Sequence, residues 1–180
     1  MKYRLLVSAA SLAFLTSIVT SAAVPQAQKA APAKLPQDLL TKSVGDFTQQ
    51  EEDQFVEVTE ATMERVCIAC HPFDNVTKTR RTARDWNDMV VTMSQRGAPG
   101  TEPEFAAIKK YLKRYYGIVR VNTATAEELS DVLGLSSKAA AAVVEYRTAH
   151  GKFTDLASLA KVEGVDKAKL DEQPEALKFD

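Results

Sequence analysis

The sequence predicts an all-α protein, and three observations support this prediction. Apolar residues recur at helical spacing in several segments between Thr48 and Gly117. No segment shows the apolar–polar alternation of a half-buried strand. From Val121 onward the chain contains an internal repeat, and each copy predicts a helix, a tight turn with a glycine and a second helix. We therefore expect two helical regions that follow each other along the chain.

The N-terminus has the layout of a secretory signal peptide. Lys2 and Arg4 precede an apolar stretch, and small residues lead to a cleavage position after Ala23. The alternative is an uncleaved membrane anchor, but a stable span needs about 20 mainly apolar residues, and serines and threonines interrupt this stretch. We predict that residues 1–23 are removed. The mature chain then has no stable membrane span and works in the periplasm or elsewhere outside the cytoplasm.

Composition divides the rest of the chain into three parts. Residues 24–47 are rich in Ala, Pro and Gln without a periodic apolar pattern, which predicts a flexible tether. Residues 72–120 carry ten basic and five acidic side chains, whereas residues 121–180 carry seven basic and eleven acidic ones. This contrast indicates two units with different electrostatics, which we place at residues 48–118 and 119–180.

Three amphipathic helices are predicted in the first unit. The first begins near Thr48, after which acidic residues fill the first turn, and it runs directly into Cys67. The second carries Trp86, Met89, Val90 and Met93 on one face, and "GAPGTEP" ends it. The third has the sequence "EPEFAAIKKYLKRYYG", and Gly117 is its stop signal.

Residues 67–71 read "CIACH" and hold both cysteines of the chain. A local disulfide or a thioredoxin-like redox pair is one interpretation, but such a redox pair begins a helix after a strand, and here the pair follows a helix. A zinc site needs four ligands, and only Cys67, Cys70, His71 and the distant His150 offer the usual soft donors. We rank both the cysteine pair and the zinc site below a third interpretation of this motif, which follows from its exact spacing.

The C-x-x-C-H spacing is the signature of covalent haem attachment. Two thiols about one helical turn apart add to the two vinyl groups of one porphyrin edge. The histidine that follows then lies under the iron as the proximal ligand. We therefore predict one covalently bound haem c, attached through Cys67 and Cys70, with His71 as an axial iron ligand.

The segment "CIACHPF…TRRTARDWNDMVVTMSQRGAPGTEPEFAAIKKYLKRYYG" resembles small c-type cytochrome domains of secreted bacterial proteins. The resemblance covers about residues 50–117 and implies the cytochrome c fold. Met93 occupies the methionine position of the family pattern, at a helix end where the chain can bend over the haem. We expect Met93 to be the sixth iron ligand, with Met89 as the alternative, and we assign His150 to a helix end.

Other residues of the first unit are candidates for the haem environment. Arg80 and Arg81 are expected to pair with the haem propionates, since arginine binds carboxylates with two parallel hydrogen bonds. Trp86 is expected to line the macrocycle. The alternative for the two arginines is a solvated basic loop, and the alternative for Trp86 is an ordinary aromatic core. In either case the positive net charge of residues 72–120 would attract an acidic redox protein as a partner.

The C-terminal repeat aligns "LSDVLGLSSKA" (129–139) with "LAKVEGVDKAK" (159–169). Together with "VNTATAEEL" and "EYRTAHGKF", it resembles the tandem helix-hairpin-helix domain of bacterial competence DNA receptors. The resemblance implies that hairpin amides and nearby cations hold phosphate oxygens without reading base sequence. The hairpin residues carried over to this chain are Gly134, Ser136, Lys138, Gly164 and Lys169.

This chain departs from the family pattern in the hairpins themselves. Ser136 and Asp166 replace the second glycine of each hairpin, and a carboxylate repels phosphate. The acidic balance of residues 121–180 also opposes DNA binding, which depends on counterion release. The same fold serves as a protein-docking module in a lumenal extrinsic subunit of photosystem II. We therefore rank docking above DNA binding.

Together these features predict an exported monohaem c-type cytochrome that transfers single electrons between redox partners and carries a helix-hairpin-helix docking module. We expect an electron carrier rather than an enzyme. One alternative is an extracytoplasmic DNA-binding protein with a structural or regulatory haem. Another is the haem subunit of a periplasmic dehydrogenase, with catalysis on a partner chain.

Overall fold

Two hydrophobic clusters organise the chain in the computed structural model, which describes residues 35–180. The predicted signal peptide, residues 1–23, and the first part of the predicted tether, residues 24–34, lie outside the described residues. Nine α-helices, two 3-10 helices and three short strands form the secondary structure of residues 35–180. The prediction of a mostly helical protein is confirmed.

The first cluster is built from the helices that precede residue 117. They are α1 (Gln37–Thr41), α2 (Gln49–Cys67), α3 (Asp74–Thr77), α4 (Ala83–Gln95) and α5 (Glu102–Tyr116). A capping box starts α2: the Thr48 side chain accepts from the Glu51 N–H, and the Glu51 carboxylate accepts from the Thr48 N–H. The largest buried side chains of this cluster are Leu39, Phe55, Met63, Trp86, Ile108 and Leu112.

The chain is already folded ahead of α2. Helix α1 is followed by a 3-10 helix at Val44–Asp46, and Leu39 and Val44 are only 1% and 4% exposed. The Lys110 ammonium donates to the backbone oxygens of Leu39 at 3.0 Å and Lys42 at 2.5 Å. In residues 37–46 the structure therefore differs from the flexible tether predicted through residue 47, because two apolar side chains and one lysine hold this segment.

The second cluster contains the predicted repeat. Its helices are α6 (Ala126–Leu133), α7 (Ser137–His150), α8 (Leu156–Leu159) and α9 (Lys167–Asp171). Gly134 separates the first pair at φ +66° and Gly164 the second pair at φ +83°, a region that favours glycine. Helix α7 ends at His150, as predicted. The helix–turn–helix organisation of both copies is confirmed.

A small parallel sheet joins distant parts of the described chain. Strand β2 (Gly117–Arg120) lies between β1 (Arg81–Thr82) and β3 (Leu177–Lys178). These strands have two to four residues, too short for an alternating pattern to reveal them in the sequence. Helix α5 passes directly into β2 at Gly117, where a Cβ would lie 2.0 Å from the Lys113 carbonyl oxygen. Only glycine permits this close approach.

Basic side chains of α5 and of the loop before β1 bind acceptors near the second cluster. Lys113 pairs with Asp131 at 3.0 Å, and the Arg114 guanidinium donates to the Gln173 side chain at 2.9 Å. Arg80 pairs with Glu175 at 2.5 Å. Part of the positive charge predicted to attract an acidic partner is thus used inside the chain. The predicted boundary at residue 118 falls within β2, which pairs with strands from both sides.

Candidate functional site

A cavity of about 420 Å³ lies between the CIACH segment and helices α4 and α5. Its walls are mostly apolar: Val66, Val90, Phe105, Ile108 and Leu112 face it. The sequence-predicted residues at this cavity are Cys67, Cys70, His71, Met89 and Met93. Ligand pockets in proteins typically have volumes of about 300–1,000 Å³ and apolar walls with a few polar groups. The cavity therefore has the size and lining of a small-molecule site.

The two cysteines lie at the C-terminal end of α2, where both line the cavity. Helix α2 ends at Cys67, and Ile68 still has helical backbone angles, so Cys70 lies about one turn further on. Both cysteines are free thiols; Cys67 is half-buried and Cys70 is exposed. Burial raises the pKa of the Cys67 thiol. One wall of the cavity thus presents two thiols at the spacing that the sequence predicted.

His71 is half-buried, and its ring contacts the backbone of the next residue. Its Nδ1 lies 3.1 Å from the backbone oxygen of Pro72. Because a carbonyl oxygen can only accept, this hydrogen bond places the proton on Nδ1 and leaves the lone pair on Nε2. A hydrogen bond of this kind orients histidines that bind metals. An imidazole in this tautomer can bind a metal ion through Nε2.

Met89 and Met93 both line the cavity, one turn apart on α4. Because both methionines line the cavity, its lining does not decide between Met93, the preferred iron ligand, and Met89, the alternative. Arg96, just after α4, also lines the cavity, and the sequence analysis did not select it. Its position three residues after Met93, on the same side of a helix end, is the signal that would have found it.

Arg80, Arg81 and Trp86 are not among the residues that line the cavity. Trp86 is fully buried, and its Nε1–H donates to the Tyr116 carbonyl oxygen at 2.8 Å. The Arg81 guanidinium lies 5.7 Å from the Trp86 ring centroid, and Arg80 binds the Gly117 carbonyl oxygen and Glu175. Contacts around Gly117 thus hold these three residues, and their assignment to the haem environment stays a prediction.

The first hairpin connects α6 and α7 through Gly134. The Ser136 hydroxyl accepts from the Ala139 N–H at 3.1 Å and so caps α7. Lys138 is largely exposed and pairs with the equally exposed Glu163 at 3.2 Å. Serine at the position of the expected glycine thus has a capping role.

The second hairpin connects α8 and α9 through Gly164. A Cβ on Gly164 would lie 3.1 Å from the Ala139 Cβ, so the two hairpins pack closely against each other. Asp166 caps α9 by accepting from the Ala168 N–H at 3.0 Å, and Lys169 on α9 is exposed. The carboxylate that we expected to repel phosphate is thus engaged by the backbone.

The structure also brings Asp46 to the first hairpin, which the sequence analysis missed. Its carboxylate accepts from the Ser137 N–H at 3.1 Å and from the Ser137 hydroxyl at 2.5 Å. These residues are far apart along the chain, and no local pattern connects them. Only the fold could reveal this contact.

Residues 35–180 contain neither a candidate membrane span nor a cluster of metal-binding side chains. No helix in this range is long and apolar enough to cross a membrane. No group of three or more His, Cys, Asp or Glu side chains in the same range is arranged to hold a metal ion.

Comparison with known proteins identifies the C-terminal part. A family model described as "Helix-hairpin-helix motif" matches residues 115–177. The chain is 43% identical over 53 residues to the endonuclease/exonuclease/phosphatase family domain-containing protein 1 of Rattus norvegicus, covering 29% of this chain and 9% of that protein. The human protein of the same name is 42% identical with the same coverage. No solved structure matches the chain.

A bacterial relative is also similar. An uncharacterised protein of Haemophilus influenzae is 39% identical over 62 residues, which covers 34% of this chain and 55% of that protein. The chain thus spans about half of this relative and about a tenth of the mammalian ones.

The chain therefore contains a helix-hairpin-helix motif, as predicted for its C-terminal part. The helix-hairpin-helix match suggests interaction with nucleic acid, so the comparisons favour the DNA-binding alternative over the electron-carrier hypothesis. The family match begins at residue 115 and does not extend to the CIACH segment.

Proposed function

We propose that the chain is an exported monohaem c-type cytochrome that transfers single electrons between redox partners and performs no substrate chemistry itself. The observation that carries this proposal is the cavity, where Cys67, Cys70, His71, Met89 and Met93 face one largely apolar space. These residues lie on two segments of the chain, the CIACH segment and α4. Core packing alone does not require two thiols, an imidazole and two thioethers to share one cavity.

The residues present fit a covalently held haem. Cys67 and Cys70 would form the thioether links, and the Nε2 lone pair of His71 would bind iron on one side. A methionine of α4, preferentially Met93, would bind on the other side. The chemistry supplied by the haem is a one-electron change at iron, and histidine–methionine ligation raises its reduction potential. The apolar walls would keep water from the iron and favour its less charged state.

Arg96 would serve the role that the sequence analysis gave to Arg80 and Arg81. It lies at the cavity, whereas Arg80 and Arg81 are engaged elsewhere. A guanidinium at the edge of an apolar cavity would neutralise a carboxylate of the bound cofactor. The surrounding surface would receive the redox partner, and the helix-hairpin-helix motif would dock the carrier.

The test is a pyridine haemochrome spectrum of the full chain, expressed with the haem-attachment machinery. We expect a c-type spectrum, and haem that stays with the protein in acidic acetone. Cys67→Ser and Cys70→Ser should each leave one thioether link and shift the spectrum, and the double variant should release its haem. Since these are the only two cysteines of the sequence, no other thiol can compensate. Wild-type protein without covalent haem would refute the proposal.

A second candidate function is extracytoplasmic DNA binding, with the haem in a structural or regulatory role. The helix-hairpin-helix match at residues 115–177 favours it. The exposed Lys138 and Lys169 would contact phosphates, together with backbone N–H groups of the hairpins. The test is titration of a short DNA duplex at low salt. Affinity that falls steeply with salt, and falls further in Lys138→Glu and Lys169→Glu, would support this function.

A further inference from the structure

The first hairpin is occupied by an acidic segment of the same chain. Asp46 places one carboxylate oxygen 3.1 Å from the Ser137 backbone nitrogen and the other 2.5 Å from the Ser137 hydroxyl. Ser137 is the first residue of α7, a helix of 14 residues. The N–H groups that begin a helix attract anions, and α7 has no acidic residue in its own first turn. Asp46 supplies the anion from outside the helix.

The backbone around Asp46 is fitted closely to the hairpin. A Cβ on Gly45 would lie 1.9 Å from the Leu135 carbonyl oxygen and 2.7 Å from the Ser136 nitrogen, so only glycine can occupy this position. The Ser43 and Ser130 hydroxyls are 2.5 Å apart, and Ser130 also donates to the Leu135 carbonyl oxygen at 2.6 Å. Backbone, hydroxyl and carboxylate contacts together hold residues 43–46 on the hairpin.

We propose that residues 43–46 compete with DNA phosphates for the first hairpin, so that this hairpin binds DNA only after the segment is displaced. The Asp46 carboxylate takes the hydrogen-bond donors that a phosphate oxygen would use, and its charge repels a second anion. Asp46 is exposed, so an incoming ligand has access to the contact from solvent. This inference goes beyond electron transfer and rests on the second candidate function, DNA binding.

The test compares wild type with two variants of the full chain. Asp46→Asn removes the charge with little change of shape, and Gly45→Val forces the segment away through the clash with Leu135. Binding of a fluorescently labelled short duplex is measured by polarisation at low salt. We expect both variants to bind about tenfold more tightly than wild type, the effect of one charge-assisted hydrogen bond.

The matched control is Asp53→Asn. It makes the same change of charge on α2, where the Asp53 carboxylate accepts from the Gln49 side chain at 2.8 Å. A general electrostatic effect would raise affinity equally in Asp53→Asn and Asp46→Asn. In that case the gain comes from net charge, and the proposal is wrong.

Hydrogen exchange of the Ser137 amide reports the state of the segment directly. We expect faster exchange in Gly45→Val, because the amide loses its carboxylate acceptor. Unchanged exchange in both variants would show that the segment does not hold the hairpin and would overturn the proposal. Faster amide exchange in a variant that binds the duplex with wild-type affinity would also overturn the proposal.

Duplex affinity separates this proposal from DNA binding itself. If wild type binds the duplex with the same affinity as both variants, DNA binds to another surface, and only the competition hypothesis fails. If no variant binds, both hypotheses fail.

Discussion

The indole Nε1–H of Trp86 donates a 2.8 Å hydrogen bond to the backbone carbonyl oxygen of Tyr116. Trp86 lies on α4, and Tyr116 is the last residue of α5 before the chain enters β2. This bond therefore fixes the end of α5 against α4, beside the small sheet. It also satisfies a carbonyl group that the end of a helix leaves without an intrahelical partner.

Replacing Trp86 tests how much this relationship contributes to stability. Trp86→Phe keeps most of the buried ring but removes the donor, and we expect a loss of about 1–3 kcal/mol in the free energy of unfolding. Trp86→Ala also leaves a cavity and should cost about 3–5 kcal/mol. Urea unfolding followed by far-UV circular dichroism measures both. Equal losses in the two variants would show that the hydrogen bond, not the packing, dominates.

The identity of the sixth iron ligand can be tested with α4 variants of the haem-loaded chain. We expect Met93→Ala to abolish the weak far-red absorption band of methionine-ligated ferric haem and to lower the reduction potential. Met89→Ala is the matched control one turn away on the same cavity wall, and it should keep the band. Loss of the band in Met89→Ala alone would assign the ligand to Met89.

The pair between Lys113 and Asp131 should contribute to the stability of the whole described chain. Their side chains are 21% and 12% exposed, so removing the lysine leaves a partly desolvated carboxylate without its partner. We expect Lys113→Ala to cost about 1–3 kcal/mol. Lys138→Ala breaks a pair in which both side chains are 86% exposed and should cost less than about 1 kcal/mol. Chemical denaturation compares them; equal losses would contradict this expectation.

Glu51 predicts an acid-dependent loss of stability. Hydrogen bonds from the Lys42 side chain and from the Thr48 backbone N–H lower the pKa of Glu51 from 4.5 to about 2. Because the folded-state pKa is the lower one, this carboxylate stabilises the fold fully above pH 4.5 and progressively less as the pH falls toward 2. Urea midpoints across this range should fall less steeply in Glu51→Gln.

Lys42→Met provides the reciprocal test of that contact. It removes the donor that contributes most to the lowered pKa of Glu51, so it should flatten the same part of the pH profile. A wild-type slope in both variants would show that the acid-dependent loss arises at other carboxylates.

Local patterns predicted most of the helices. On the face predicted for the second helix, Trp86 and Val90 are buried in α4, as their spacing indicated. The capping box of Thr125 with Glu128 starts α6. These features depend on residues within two helical turns of one another, so a short stretch of sequence is enough to predict them.

Contacts between distant residues could not be predicted in the same way. The CIACH motif marked one wall of the cavity, but the opposite wall and Arg96 depend on how α4 and α5 pack. The pair between Arg80 and Glu175 could not be predicted, because the two residues are 95 positions apart and no sequence pattern connects them. Strand β1 has only two residues, and only its pairing with β2 defines it.

The covalent connection between Asp46 and the hairpin has a quantitative consequence. Asp46 lies two residues before Thr48, the N-cap residue of α2, so the acidic segment cannot diffuse away when its contacts break. A short tether gives such a segment an effective concentration on the order of millimolar or more. A ligand in solution must overcome that value before it occupies the hairpin. Sparse ligands would therefore leave the hairpin closed, whereas a polyanion that offers many phosphates at once would open it.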